Sequence, residues 1–165
     1  MDIITFWNSL LSNVGVTTKA NNVNEYRKLI IAGGLPSAKV ETVAAANVIT
    51  ASETGKTFFL GLAGGFASTL PAPAAGLNYK FIVSVAPTTA YTIATNGSAN
   101  IIKGGVNELE VDTADDGPYS AVGDLISFVA NVAVVGDWVE VISDGTSWFL
   151  TGQTNADGGV TIGST

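Results

Sequence analysis

The sequence predicts a mainly β protein, an antiparallel β-sandwich or barrel of the jelly-roll kind with a short N-terminal helical arm. From about residue 38 onward, short apolar runs are separated by Gly, Pro, Asn and Asp, which is typical of many strands joined by tight turns. Apolar residues make up 47% of the 165 residues and charged residues 13%, so an intrinsically disordered chain is excluded for most of its length. Helical spacing occurs only near the N-terminus, and the sequence therefore divides into an arm (1–37) and a β-domain (38–165).

The arm begins with a predicted amphipathic helix at 2–14. Its apolar side chains fall three and four residues apart and form one stripe on a helix; they are Ile3, Phe6, Trp7, Leu10, Leu11 and Val14. A helix of this length is marginal in water unless its stripe is buried. Two interpretations stay open: the stripe closes the core of its own subunit, or it packs on a partner chain.

A second short helix is predicted at 24–32, followed by Gly33, Gly34 and Pro36, which end it. The alternative is a strand that ends at Leu29-Ile30-Ile31. Aromatic and basic side chains in this element are suited to contact with an acidic partner. The candidate interface residues of the arm are Phe6, Trp7, Leu10, Leu11, Tyr26, Arg27 and Lys28.

Strands of the β-domain are predicted wherever apolar runs meet turn residues on both sides. They are expected near 39–50, 56–62, 66–70, 77–86, 90–95, 99–103, 106–112, 124–134, 137–143, 146–151 and 159–163. Alternation is cleanest in 77–81, where the odd positions are apolar. At Ile82-Val83 consecutive residues are apolar, as expected where both faces of a strand are buried in a packed core.

The strongest local signal is a β-hairpin at 139–150. Asp144-Gly145 favours a two-residue type I′ turn, because both central residues of that turn need positive φ. This turn pairs Ser143 with Thr146, Val141 with Trp148 and Val139 with Leu150. A weaker copy is predicted at 93–101, around Asn96-Gly97.

Aromatic residues of this hairpin are expected on both of its faces. Trp148 is predicted to pack in the core, because its own face of the hairpin is wholly apolar. Trp138 and Phe149 share the other face and are candidates for a subunit contact. A carbohydrate-stacking role for these aromatic side chains is the alternative.

The composition excludes most catalytic chemistry. The chain has no Cys and no His, so thiol catalysis, Cys/His zinc sites and Ser-His-Asp triads are excluded. A weak metal candidate is the oxygen cluster of Asp112, Asp115 and Asp116, although a solvated acidic turn explains it more simply. Glu108 and Glu110 alternate along a strand and face one way about 7 Å apart, as a glycosidase pair could, although solvent-facing charges on a half-buried strand explain them more simply. We therefore expect no enzyme activity and no cofactor.

Charge is divided unevenly along the sequence. Residues 1–103 contain seven basic and four acidic residues, whereas 104–165 contain ten acidic residues and no basic one. An acidic half repels nucleic acid, and no direct nucleic-acid contact is expected. No apolar run approaches the length of a membrane span, and the N-terminus lacks the features of a secretory signal.

Three runs carry a resemblance to a known group of proteins: 68–83, 91–104 and 136–152. They resemble a β-rich module of tailed-phage virion proteins, most closely the head decoration (cement) proteins and, less closely, tail-fibre and spike proteins. The resemblance covers about 50–165 and concerns turns and strands rather than individual functional residues. It implies a virion protein on the outer head surface, with the major capsid protein and further copies in a homotrimer as its partners. The alternative it leaves open is a tail-fibre or spike module that binds a receptor.

Overall fold

Twelve short strands build the described part of the chain, which comprises residues 39–97, 99–110 and 119–164 of a computed structural model, with only the backbone of 119 and 120. These residues belong to a compact unit, Lys39–Thr165. The strands are β1 (Val40–Val43), β2 (Asn47–Val48), β3 (Thr57–Leu60), β4 (Ala67–Thr69), β5 (Asn78–Val83), β6 (Tyr91–Ala94), β7 (Ile102–Glu108), β8 (Tyr119–Gly123), β9 (Leu125–Phe128), β10 (Trp138–Ser143), β11 (Trp148–Thr154) and β12 (Val160–Gly163). The predicted helices at 2–14 and 24–32 lie outside the described residues.

The strands form two sheets that pack face to face, which confirms the predicted β-sandwich. The larger sheet has seven strands in the order β1-β3-β5-β10-β11-β7-β8, and the smaller has five in the order β12-β9-β6-β4-β2. Side chains alternate between buried and accessible along most strands, as in β5 and β10. The buried set of each sheet points towards the other sheet and forms one apolar core.

Both sheets are mixed rather than purely antiparallel. The first six strands alternate between the sheets, so that β1, β3 and β5 lie side by side in parallel, as do β2, β4 and β6. A parallel pair needs a crossover, and here the crossover is a strand of the opposite sheet rather than a helix. The chain thus winds through three coils before the antiparallel hairpin of β10 and β11 enters between β5 and β7.

The chain crosses between the sheets again at Gly123-Asp124, where β8 ends and β9 begins. A Cβ on Gly123 would lie 2.0 Å from the Gly163 carbonyl oxygen, so only glycine permits this close approach. The Asp124 amide donates to the same oxygen at 2.9 Å. This contact joins the β8–β9 segment to β12.

Aromatic rings fill the centre of the sandwich. Phe58 and Phe81 are direct neighbours on β3 and β5, and their rings stack with centroids 5.4 Å apart. Tyr79 lies 5.8 Å from Trp148 and 6.4 Å from Phe58. All four side chains are buried, and their large apolar surfaces account for much of the stabilisation of the core.

Two buried tyrosines form hydrogen bonds that hold the connections between the two sheets in the segment from β1 to β6. The Tyr91 hydroxyl donates to the Val85 carbonyl at 2.8 Å and accepts a hydrogen bond from the Leu62 amide at 3.1 Å. The Tyr79 hydroxyl donates to the Thr50 carbonyl at 3.0 Å. Each ring therefore packs in the core while its hydroxyl satisfies backbone groups at a corner.

We expect the fold to lose stability in alkali. Burial raises the pKa of Tyr79 and of Tyr91, with the charge of Glu53 a smaller cause for Tyr79. The neutral phenol is thus favoured in the folded chain, and its contribution is complete below the unfolded-state pKa of about 10 and is lost as the pH rises through the raised pKa values. Denaturant unfolding between pH 8 and 11 measures this slope. Tyr91→Phe lowers stability at pH 8 but flattens the slope, and an unchanged slope would contradict the explanation.

The hairpin forms, but its predicted register is wrong by two residues. Ser143 pairs with Trp148 and Val141 with Leu150, so the connection is longer than a two-residue turn. The Asp144 carboxylate accepts hydrogen bonds from the Thr146 and Ser147 amides, both at 2.8 Å, which holds the wider loop. A shift of two leaves each side chain on its predicted face, and the apolar face is buried as expected.

The weaker hairpin prediction at 93–101 is wrong. β6 belongs to the five-stranded sheet and β7 to the seven-stranded sheet, so the Asn96-Gly97 turn connects the two sheets rather than two paired strands. The runs predicted at 99–103 and 106–112 are one strand, β7, and the run at 39–50 divides into β1 and β2. Strand β8 has no counterpart among the predicted runs, because its Tyr-Ser-Ala-Val-Gly sequence contains few strongly apolar residues.

Candidate protein-interaction face

The outer side of the seven-stranded sheet exposes a broad apolar surface. Strand alternation buries Val139 and Val141 and turns Trp138 and Ile142 outward. The same alternation turns Phe149 outward on β11. We call this surface the Trp138 face and define it by the outward side chains of Phe59, Lys80, Ile82, Val122, Trp138, Glu140, Ile142 and Phe149.

One edge of the Trp138 face is a row of exposed side chains that are apolar except for Lys103. Ile142 pairs with Phe149, Phe149 with Lys103, and Lys103 with Val122 across four adjacent strands. Ile142 and Phe149 are each 48% exposed and Val122 is 58% exposed. Adjacent strands are about 4.8 Å apart, so this row extends over about 14 Å.

A second apolar row crosses the other end of the same strands. Phe59, Ile82 and Trp138 are direct neighbours on β3, β5 and β10. All three side chains are half-buried. Gln153 continues this row on β11, so the aromatic and aliphatic groups lie beside a neutral polar one.

Between the two apolar rows lies a row that carries both charges. Lys80 and Glu140 are direct neighbours on β5 and β10, flanked by Thr57 and Thr151. The Lys80 ammonium nitrogen lies 4.0 Å from the centroid of the Trp138 ring, a cation–π contact. Because the ammonium covers one side of the ring, that side is not available for stacking on a sugar.

The outer side of the five-stranded sheet differs in chemistry. Its strands β2, β4, β6, β9 and β12 contain no charged residue. The outward positions are mostly small, such as Thr69, Ala94, Thr92, Ser127 and Thr161. Val48 at its edge is the exception and is 73% exposed. The exposed large apolar side chains that lie on adjacent central strands, Ile142 and Phe149, belong to the Trp138 face.

The hairpin aromatics lie where the sequence predicts them. Trp148 is fully buried, which confirms its predicted core position. Trp138 and Phe149 share the outer face of the sheet, as their alternation predicts. The two-sided packing predicted at Ile82 is wrong, because this side chain points outward onto the Trp138 face. Ile142 and Val122 are surface groups that the sequence reasoning missed, although the period-2 pattern of β10 contains that signal for Ile142.

Glu108 and Glu110 are anchored to one turn rather than arranged across a cleft. The Glu108 carboxylate accepts a hydrogen bond from the Gly158 amide, and that of Glu110 accepts one from the Asp157 amide, both at 3.0 Å. The two side chains thus cap adjacent amides of the turn between β11 and β12. This arrangement stabilises the turn and offers no reason to assign them to catalysis.

The other predicted site residues lie outside the described part of the chain. These are Phe6, Trp7, Leu10, Leu11, Tyr26, Arg27 and Lys28 of the arm, and Asp112, Asp115 and Asp116 of the acidic cluster. Within residues 39–97, 99–110 and 119–164, no group of three or more Asp and Glu side chains is placed to hold a metal ion. In the same ranges, no helix is long and apolar enough to cross a membrane.

Basic and acidic residues are separated along the sequence but lie side by side on the Trp138 face. Lys80 from the basic half lies beside Glu140 from the acidic half. The Lys103 ammonium donates to the Ser147 hydroxyl at 3.1 Å and contributes to the lowered pKa of Asp144, after the larger effects of the Ser147 and Thr146 hydrogen bonds. The hairpin of β10 and β11 enters between β5 and β7, which places Glu140 of β10 beside Lys80 of β5.

Comparison with protein-family models, with curated proteins and with solved structures gives no match. A functional assignment therefore rests on the geometry of the Trp138 face and on the sequence resemblance.

Proposed function

We propose that this protein is a viral structural protein, a decoration (cement) protein that binds the outer surface of a phage head and stabilises the shell. The observation that carries the proposal is the Trp138 face, because a sheet surface with half-exposed Ile142 and Phe149 is suited to adhesion between proteins, the property on which a decoration role depends. The contact with the head itself is assigned to the arm. The turn-and-strand resemblance to head decoration proteins supports the same assignment.

Adhesion requires no reacting group. A decoration protein that spans neighbouring capsid subunits adds its binding free energy to the contact between them, so the shell resists internal pressure from packaged DNA. If several copies of the protein are joined, each bound copy raises the effective concentration of the next one at the head surface. Self-association and head binding are thus two parts of one function, and they need different surfaces.

We assign the surface that meets the major capsid protein to the arm. The stripe of Phe6, Trp7, Leu10 and Leu11 offers apolar groups, and Tyr26, Arg27 and Lys28 add an aromatic ring and two positive charges. Aromatic and Arg side chains are the residue types that most often dominate binding energy at protein interfaces. This assignment rests on the sequence alone and stays a prediction.

We expect the full-length double variant Phe6→Ser, Trp7→Ser to bind heads at least about tenfold more weakly than the unaltered chain, because it removes the two aromatic side chains that the proposal places in the interface. The measurement is co-sedimentation with purified heads from which the protein has been removed. Asn8→Ser, Ser9→Ala changes the polar side of the same predicted helix and should bind normally. Equal binding by the Phe6/Trp7 variant would remove the arm from the mechanism.

The function itself is tested by the unaltered protein. We expect it to pellet with heads and to raise the temperature at which the heads release their DNA. Failure to bind the heads would refute decoration, and selective binding to a glycan array would favour the receptor-binding alternative. Stacking of a sugar on Trp138 would then require the Lys80 ammonium to leave the ring.

A further inference from the structure

We propose that the Trp138 face binds the same face of a second copy of this chain, across a two-fold axis that runs along the strands between β5 and β10. This deepens the proposed function by naming the partner of the adhesive face, and it rests on that face being adhesive. The pairing of Lys80 with Glu140 and of Trp138 with Ile82 favours a second copy as the occupant.

The two central charges make the face complementary to itself. Lys80 and Glu140 occupy directly opposite positions on β5 and β10. A two-fold axis between these strands exchanges the two positions, so Lys80 of each copy faces Glu140 of the other. A symmetric contact of this kind satisfies both charges twice with one pair of residues.

One apolar row matches itself under the same rotation. Trp138 of each copy faces Ile82 of the other, since these two residues are also opposite one another on β10 and β5. In the other row, Ile142 comes against Asn78. Phe149 comes against Gly55, a residue without a side chain two positions before β3, where a Cβ would meet Lys39 Nζ and Asn78 Oδ1 at 3.6 and 3.9 Å.

The size of the face is that of a weak, reversible pair. The axis places β5, β3 and β1 of one copy against β10, β11 and β7 of the other, and β8 has no counterpart. Six strands spaced about 4.8 Å apart span about 24 Å, and five residues at about 3.3 Å each span about 16 Å, which gives about 400 Å² per copy and about 800 Å² in total. Two twisted sheets also pack naturally face to face, as the two sheets within each copy already do.

The first measurement is the mass of the unaltered full-length chain by sedimentation equilibrium over a range of concentrations. We expect reversible formation of a species with twice the 16.8 kDa chain mass. A chain that stays monomeric at all concentrations overturns the proposal. A trimer, which is the state that the sequence resemblance implies, overturns the two-fold axis.

A charge-swap experiment tests the axis itself. Lys80→Glu places two acidic groups against each other twice in a dimer, and Glu140→Lys does the same with two basic groups. Each single variant should dimerise at least about tenfold more weakly than the unaltered chain. In an equimolar mixture of the two variants, every contact again joins opposite charges, and mixed dimers should form with nearly the original affinity.

Rescue by mixing separates the interface from effects within one chain. Each variant also brings like charges together on its own β5 and β10, which lowers its own stability, but mixing cannot repair that defect. Circular dichroism of each variant checks its fold, and Asp157→Lys, on an exposed turn outside the face, is the matched charge-reversal control. Absence of mixed dimers between folded variants refutes the proposed axis.

If either variant fails to fold, the unaltered chain still decides the question. Carbodiimide cross-linking of a mixture of ¹⁴N- and ¹⁵N-labelled protein should join Lys80 to Glu140 in peptides of mixed isotope content. Only unmixed, intramolecular links would overturn the proposal. Head binding is measured separately. Dimers that do not bind heads would refute the decoration function but not the interface. Monomers that bind heads would refute the interface but not the decoration function.

Discussion

Gly104→Ala is expected to destabilise the folded β-domain by at least about 4 kcal/mol, a large part of the roughly 5–15 kcal/mol that stabilises a typical domain. Gly104 lies in β7 with φ of +130°, a region that L side chains rarely adopt. A Cβ at this position would lie 2.1 Å from the Leu150 carbonyl oxygen on β11. The clash is with backbone, so a neighbouring rotamer cannot relieve it, and the central β11–β7 pairing has to move.

Two other glycines separate the contributions to this effect. Gly76 has φ of +86° but a Cβ there would meet nothing within 4 Å, so Gly76→Ala should cost about 1 kcal/mol for the backbone alone. Gly163 has neither a positive φ nor a neighbour within 4 Å, and Gly163→Ala should change stability by less than about 0.5 kcal/mol. Guanidinium unfolding of the three variants measures the series. Equal losses for Gly104→Ala and Gly76→Ala would show that the close approach to Leu150 is unimportant.

Gly104 also illustrates why strand boundaries in the sequence are imprecise. The Gly104-Gly105 pair suggests a break between two strands, whereas β7 continues through it because the partner backbone on β11 approaches too closely for a side chain. The need for glycine arises from a residue far away in sequence. Local propensity cannot distinguish such a glycine from one in a turn.

The hairpin shows which part of a local pattern is predictable. Alternation assigns Val139, Val141, Trp148 and Leu150 to the core, and all four are buried. The register depends on how Asp144 uses its side chain, and accepting two backbone amides widens the loop without changing any face. The face on which each side chain lies follows from the burial of apolar groups. The pairing register of the two strands follows from hydrogen bonds in the turn, which several turn types satisfy equally well.

The parallel coils could not be predicted, for a different reason. A strand such as Thr57–Leu60 has the same alternating pattern whether its neighbour runs parallel or antiparallel. The direction of the neighbouring strand depends on the tertiary fold, here on connections between the sheets that hydrogen bonds from the Tyr79 and Tyr91 hydroxyl groups hold in place. The Trp138 face is predictable in part, since alternation places Trp138 and Phe149 together, but the strand order that adds Ile82 and Val122 is not.

Asp137→Ala is expected to cost about 3 kcal/mol, because it removes four hydrogen bonds to one buried carboxylate. Asp137 is 1% exposed. Its Oδ2 accepts from the Val134 amide at 2.9 Å and the Thr154 hydroxyl at 3.1 Å, and its Oδ1 accepts from the Asn155 amide and side chain, both at 2.9 Å. The single Thr154 hydroxyl proton has the Ala156 carbonyl oxygen, also at 3.1 Å, as its second acceptor. The carboxylate therefore joins the loop before β10 to the end of β11, and without it these donors lose their shared acceptor.

Asp137→Asn tests whether the acceptor chemistry matters rather than the volume of the side chain. The amide keeps the shape but has one oxygen, so one pair of donors meets an NH₂ group, and we expect a loss of about 2 kcal/mol. Asp157→Asn, which removes a charge from an exposed turn nearby, should be neutral. The double variant Asp137→Asn, Thr154→Val should lose less stability than the two single variants lose together, because both substitutions weaken the same hydrogen bond. Strict additivity, measured by denaturant unfolding of the four chains, would show that Asp137 does not hold β11 through Thr154.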